Sequence, residues 1–321
     1  MSHFVAMCIG ANYKEQLAPY EETADGPYVV FTPTEEQLRK SYETETTNCF
    51  VDPKGIPHQM CSDEFRNPDV FDPSNRYICP AGWTEKRVPV KEVYTTWESY
   101  LTDYCGEEPD EQTGRLGYWS NPNAKWDWYV VGGRWSNWLR HKDGTKVDQA
   151  RYGDIDWAAM LAGHVEFWTK VYDYVWPKIK DTPESLPWSD FYDRAEREEI
   201  TFDQARTEWK NQPRIKIAEE LAEIARRNQT KSDVDSWIGW DLNTEAHTFT
   251  ADKAMFVKLR AEESLSTFAV VKDGRWFERG KMGWFAAVHD EKDPETWTAI
   301  WSSLTRDIDP DTLITIIDCH I

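Results

Sequence analysis

The chain has 321 residues, with 37 Lys or Arg against 57 Asp or Glu, and the formal charge of −20 excludes non-specific attraction to nucleic acid. With 40% hydrophobic and 29% charged residues, its composition is that of a folded globular protein of one large or two ordinary domains. Its apolar runs fall far short of the roughly 20 residues of a membrane-spanning helix, and residues 1–10 lack the basic start and long apolar stretch of a signal peptide, so a cytoplasmic protein without a membrane partner is expected.

In chain order, the apolar run His3 to Gly10, stopped by Gly10-Ala11-Asn12, predicts a first strand. From Glu21 to about Pro89 the chain is rich in Pro, Asp, Asn and Thr, which predicts a long loop with only a short helix around Thr34 to Tyr42. Val93, Trp97, Tyr100, Leu101 and Tyr104 stand at helical spacing and predict a helix over 90–104. Trp126 to Val131 and Arg134 to Leu139, separated by Gly132-Gly133, read as two strands or one sharply bent strand. The texture then turns helical. Trp157, Leu161, Val165, Trp168, Tyr172 and Trp176 mark an aromatic-faced helix stopped by Pro177. A second helical region follows Pro187 and breaks at Ile200-Thr201, where Thr201 and Gln204 offer a capping box; Pro213 opens a third, with Ile217, Leu221, Ile224 and Ala225 on one face. Ser266 to Val271 predicts a strand, Lys272-Asp273-Gly274-Arg275 a hairpin turn, Trp276 to Glu278 its return, Trp284 to Val288 a strand, Pro294 to Leu304 a helix and Leu313 to Ile321 a final strand.

This order implies an α+β protein with a mainly antiparallel, ferredoxin-like sheet and an inserted helical subdomain. The expected divisions are 1–147 (the first part of the core, with a long loop at 43–89), 148–230 (the helical insert) and 231–321 (the second part). Six cysteines in a chain of this size with no export signal predict free thiols, with Cys8 and Cys319 buried in strands.

Met1-Ser2-His3-Phe4 and Glu15-Gln16-Leu17-Ala18-Pro19-Tyr20 open the chain, Lys125-Trp126-Asp127-Trp128-Tyr129 and Gly132-Gly133-Arg134-Trp135 lie in its middle, and Gly280-Lys281-Met282-Gly283-Trp284 and Asp318-Cys319-His320-Ile321 close it. In these signatures the chain resembles a family of mostly uncharacterised bacteriophage and bacterial proteins. The resemblance covers both flanks and the middle but neither 148–228 nor the cysteine-bearing loop 49–79. It implies a phage or bacterial origin and fixes no chemistry.

Four groups of residues carry candidate functions. The pair Gly132-Gly133 beside Asp127, Trp128, Arg134 and Trp135 could present backbone N–H groups and a guanidinium to an anion, with aromatics to stack a base or sugar. Met282 and Trp284 in the second glycine segment would complete that pocket. The alternative is a tight bend in which Arg134 pairs with Asp127. Second, if the terminal strands lie side by side, His3 falls near Asp318 and His320, two imidazoles and a carboxylate suited to proton transfer or a divalent metal. Third, Cys49, His58, Cys61 and Cys79 are residue types of a structural Zn site, although they lack paired C-x-x-C knuckles. Fourth, the acid excess could mimic DNA toward a basic host protein, or simply solvate the surface. No Gly-x-Ser-x-Gly, His-Glu-x-x-His or EF-hand motif occurs. Two functions remain in view: recognition of a small anionic ligand, with a nucleotide as one candidate, with or without turnover; and an acidic module that binds and inhibits a host defence or regulatory protein.

Overall fold

The first seven-residue strand, β1 (His3–Ile9), is buried on both faces, as its unbroken apolar sequence requires. In the computed structural model, which describes residues 2–22, 26–62, 65–66, 77–228, 232–283 and 288–321, β1 lies in the middle of a six-stranded sheet. The other strands are β2 (Trp128–Val131), β3 (Gln149–Arg151), β4 (Ala269–Lys272), β5 (Arg275–Glu278) and β6 (Leu313–His320). Antiparallel β6 flanks β1 on one side and parallel β4 on the other; β5 continues beyond β4, while β2 and β3 share the outer edge of β6. The β4–β5 hairpin turns at Asp273 and Gly274, with φ of 54° and 70°, the left-handed pair that a two-residue hairpin loop demands.

The protein is thus mixed α+β with mostly antiparallel pairing. The ferredoxin-like order differs in one respect: that topology leaves a slot beside β1 for the third strand, whereas here β4 pairs with β1 directly and its hairpin partner lies outside it. Val270 and Val271 in β4 are fully buried, whereas the polar β5 is not, which fits β4 to the inner position.

Between β3 and β4 the described residues form six helices of eight residues or more, α1 (Trp157–Ile179), α2 (Trp188–Glu196), α3 (Phe202–Lys210), α4 (Pro213–Arg227), α5 (Asp233–Trp240) and α6 (Lys253–Leu265), with a four-residue helix at Leu242–Glu245; α7 (Pro294–Thr305) follows β5. Helix α1 continues through Pro177 to Ile179, because a proline in the last turn forfeits one hydrogen bond close to the natural end. The expected capping box at Thr201 and Gln204 forms. The buried face of α4 is Ile215, Ala218, Leu221, Ala222 and Ala225, leaving Ile224 exposed. Trp168, Val171, Tyr172 and Val175 of α1 share one core with α4, α5 and α6, so the helical layer extends beyond residue 230. Val5, Met7 and Ile9 meet Ile314, Ile316, Trp297 and Trp301 on one face of the sheet. Phe4, Ala6 and Cys8 meet Ile317, Cys319, Leu17 and Trp126 on the other.

Residues 1–21 with 125–321 form one compact unit, which includes the helices of 148–230, and residues 22–124 form a second. The second unit corrects the expectation of a long loop with a single helix. Thr46–Val51 pairs with both Pro57–Gln59 and Thr84–Pro89, and Val30–Pro33 pairs with Gly117–Ser120. The short helix is present at Glu35–Thr44. The single helix expected over 90–104 is instead Val90–Val93, Trp97–Ser99 and a wide turn at Tyr100–Cys105. The second strand expected at 134–139 is also corrected: Gly133–Trp135 is a tight helical turn, and only Leu139–Arg140 is extended, against Lys146–Val147. Trp284 and most of the strand expected around it lie outside the described residues. Among the described residues no helix is long and apolar enough to cross a membrane.

Candidate functional site: two carboxylate-backed histidines

Side chains alternate along a strand, so His3 and Val5 of β1 share a face, as do Asp318 and His320 of β6 and Trp128 and Val130 of β2. The register sets His3 opposite His320, Val5 opposite Asp318 and His320 opposite Trp128. The apolar face carried by Val5, Met7, Ile314 and Ile316 therefore becomes polar at one end of the sheet.

Each imidazole there is held by a carboxylate. His3 Nδ1 lies 2.8 Å from Asp318 Oδ1, and His320 Nδ1 lies 2.6 Å from Asp127 Oδ1. Asp318 and His320 are only 2% and 5% exposed. The second oxygen of Asp318 accepts the backbone N–H of Arg134 at 2.9 Å. Asp127 accepts its neighbour's N–H, from Trp128, at 2.7 Å, and gives its own backbone N–H to the His320 carbonyl at 3.0 Å. A carboxylate at Nδ1 accepts a hydrogen bond from that nitrogen's N–H in the neutral ring, which leaves the lone pair on Nε2. The His320 Nε2 is buried and has no hydrogen-bond partner among the described residues. The Trp128 ring, itself 44% exposed, stacks on His320 with centroids 4.9 Å apart and planes at 18°. The two histidine rings meet edge to face at 4.9 Å, and His3 meets Trp128 at 5.3 Å. The terminal pair expected from the sequence is thus one cluster, and it includes Asp127 and Trp128.

The glycine pair serves this cluster in a way the sequence reading did not anticipate. Gly132 and Gly133 have φ of 73° and 54°, and a Cβ on Gly133 would overlap Asp318 while one on Gly132 would overlap Asp148. Three of the turn's N–H groups are committed: Gly132 donates to Ile316, Arg134 to Asp318, and Asn137 to Asp148. The expected backbone cradle for an external anion is therefore corrected to a cradle for the protein's own carboxylates. The Arg134–Asp127 pair of the alternative reading is not formed either, since Asp127 is engaged by His320. The exposed Arg134 guanidinium has no ion-pair or hydrogen-bond partner among the described residues. Trp135 packs into the core beneath this face, whereas Met282 packs against the core cluster of the opposite face, the one that holds Phe4 and Cys319, so it does not join Trp128 in one pocket. The sequence reading missed Asp148, whose only signal was its position in a polar turn.

The proposed zinc ligands do not converge. Cys49, fully buried, pairs with Gln59, and His58 pairs with the neighbouring Phe50, so the thiol and the imidazole point to opposite faces of the small sheet. His58 packs against Trp83 and approaches Asp52; Cys61 is exposed and Cys79 partly so. Burial, then the charge of Glu92, raises the Cys49 thiol above its usual pKa, the direction that disfavours the thiolate a metal needs. Among the described residues no group of three or more His, Cys, Asp or Glu is arranged to hold a metal. Burial pushes the Cys8 thiol up to about 12, as expected for an inert strand cysteine.

No protein-family model, no curated protein and no solved structure matches the chain.

Proposed function

We propose that the protein binds a small anionic ligand, of nucleotide type, at the His3–His320 pair and that these imidazoles transfer protons on it. The observation that carries this reading is the buried, unpartnered Nε2 of His320, on a ring whose other nitrogen is anchored by Asp127. Leaving one buried nitrogen unsatisfied costs about 1–3 kcal/mol, a cost that a ligand hydrogen bond would recover. Two carboxylate-backed imidazoles within contact of one another supply a base and an acid for a single displacement. Trp128 offers an aromatic face to a base, and the unpaired Arg134 guanidinium a partner for phosphate.

Titrating nucleoside mono-, di- and triphosphates and cyclic nucleotides while following Trp fluorescence tests this. The expected outcome is a saturable change, weakened about tenfold or more in Arg134→Ala. His320→Ala should remove turnover with the fold intact. A panel without any response, and Arg134→Ala indistinguishable from the wild type, would sink the proposal.

A second reading, an acidic module that binds a host protein, is favoured by Ile224 and Trp240, which are 59% and 74% exposed on the packed helices α4 and α5. Its test is co-purification of a stoichiometric protein from producing cells, lost in a Trp240→Ser variant.

A further inference from the structure

A concavity of about 870 Å³ lies in the same compact unit as the histidine pair but on different residues, and it falls in the size range of small-molecule sites. Its length runs along α1. Met160, His164 and Trp168 recur every four residues, so one face of that helix lines the cavity over two turns, about 12 Å at about 1.5 Å per residue.

The two ends differ in charge. At the Met160 end stands the short hairpin of Leu139–Arg140 and Lys146–Val147, whose Arg140 backbone N–H meets Met160 Sδ at 3.5 Å. Arg140 and Lys146 are direct cross-strand partners, both line the cavity, and neither side chain has a partner among the described residues. At the Trp168 end, Trp237 of α5 packs on Trp168 with centroids 5.0 Å apart. Asp233 and Asp241 stand four residues to either side of Trp237 and line the cavity, and neither side chain makes a hydrogen bond or ion pair among the described residues; burial and the charge of Glu245 raise the Asp241 carboxyl, against the opposing charge of Arg260.

Between these ends the wall does not favour either sign. Arg260 donates to Glu263 at 2.8 Å and pairs with Glu245, and Arg279 pairs with Glu263 at 3.2 Å, so the charges there are already matched. Arg260 also lies 5.0 Å over the Trp168 ring. Burial holds His164 below the usual imidazole pKa, so at neutral pH it faces the cavity uncharged.

An unpaired cationic end, an unpaired anionic end and an aromatic middle call for a ligand of the same pattern reversed. We infer that this cavity binds a short peptide with free termini, of two or three residues, its carboxylate at Arg140 and Lys146 and its ammonium at Asp233 and Asp241. Three extended residues reach at most about 10–11 Å, comparable with the stretch of about 12 Å of α1 that lines the cavity. An apolar side chain on the peptide lies against Trp168 and Trp237.

Calorimetric titration of the full chain with Ala-Phe-Ala tests this, alongside the same peptide acetylated at its N-terminus or amidated at its C-terminus. Saturable binding is expected for the free peptide, weakened about tenfold or more by either block. In an Arg140→Ala, Lys146→Ala double variant the C-terminal amide should cost nothing further, and in an Asp233→Asn, Asp241→Asn double variant acetylation should cost nothing further, because each block and its variant remove the same contacts. Far-ultraviolet circular dichroism checks that both variants remain folded. His320→Ala should bind the peptide as the wild type does, which separates this site from the nucleotide proposal. The inference is overturned if the free tripeptide does not bind, or if the blocked peptides bind as well as the free one.

Discussion

At the position of Gly133 the backbone, not a side chain, decides the outcome. Its φ of 54° and the closeness of Asp318 leave no room for a Cβ. Gly133→Ala is expected to cost about 1–3 kcal/mol in chemical denaturation and to displace the carboxylate that anchors His3. Gly163, in the middle of α1 with open space about it, is the contrasting case; there alanine should stabilise by about 0.5–1 kcal/mol. The bend at Gly132-Gly133 was legible because two glycines between aromatic and β-branched runs require a special backbone. What they make room for was not legible, since Asp148 and Asp318 approach from 15 and 185 residues further along the chain, as the difference in their numbers from 133 shows. Asp127 was singled out for a ligand and turned out to hold His320, a role fixed by the register of β2 on β6 that no local pattern encodes.

Elements with strong end signals formed where the sequence placed them. Helix α7 begins with Asp293 as its cap and Pro294 in its first turn, and the Thr296 hydroxyl and backbone N–H both donate to Asp293. These bonds, the hydroxyl's first, hold the Asp293 carboxyl below its ordinary pKa. A carboxyl lowered on folding stabilises the protein above its unfolded value, near 3.9, and that contribution is lost as pH falls through the folded value. Asp293→Asn keeps an acceptor but removes the charge, so its melting temperature should lie below the wild type at neutral pH and the gap should close below about pH 4. A gap independent of pH would contradict this assignment. The terminal strands β1 and β6 were legible for a different reason: both are apolar runs with polar ends, and their pairing alone brings His3 to His320. The strand Thr46–Val51 was hidden by the proline and aspartate around it, because turn residues in its connections masked a β-branched run too short to stand out. The cavity along α1 left no trace in the sequence, since its polar lining comes singly from several elements.

On the scale of the whole molecule, the chain leaves and re-enters the first unit at one place. Lys125 donates its backbone N–H to the Tyr20 carbonyl at 2.8 Å, and Glu21 pairs with Trp126 in a parallel bridge. Replacing residues 22–124 with a short Gly/Ser linker should therefore leave a folded protein that keeps both histidine–carboxylate pairs and binds the same ligands, as judged by thermal melting and calorimetry. Loss of cooperative unfolding in that variant would show that the first unit depends on the second. The net charge of −20 acts at this scale too, giving an expected absence of binding to random-sequence DNA even at low salt.

The most direct test of the histidine site is nuclear magnetic resonance of the imidazole Cε1–H and Nε2 signals of His3 and His320, assigned by His3→Gln and His320→Gln, during titration with the nucleotide panel. Ligand binding at the pair requires both sets of signals to shift saturably with at least one nucleotide, the His320 Nε2 most, and to shift less at the same concentration in Arg134→Ala. Signals that stay in place through every titration, or that respond identically with and without Arg134, would contradict it.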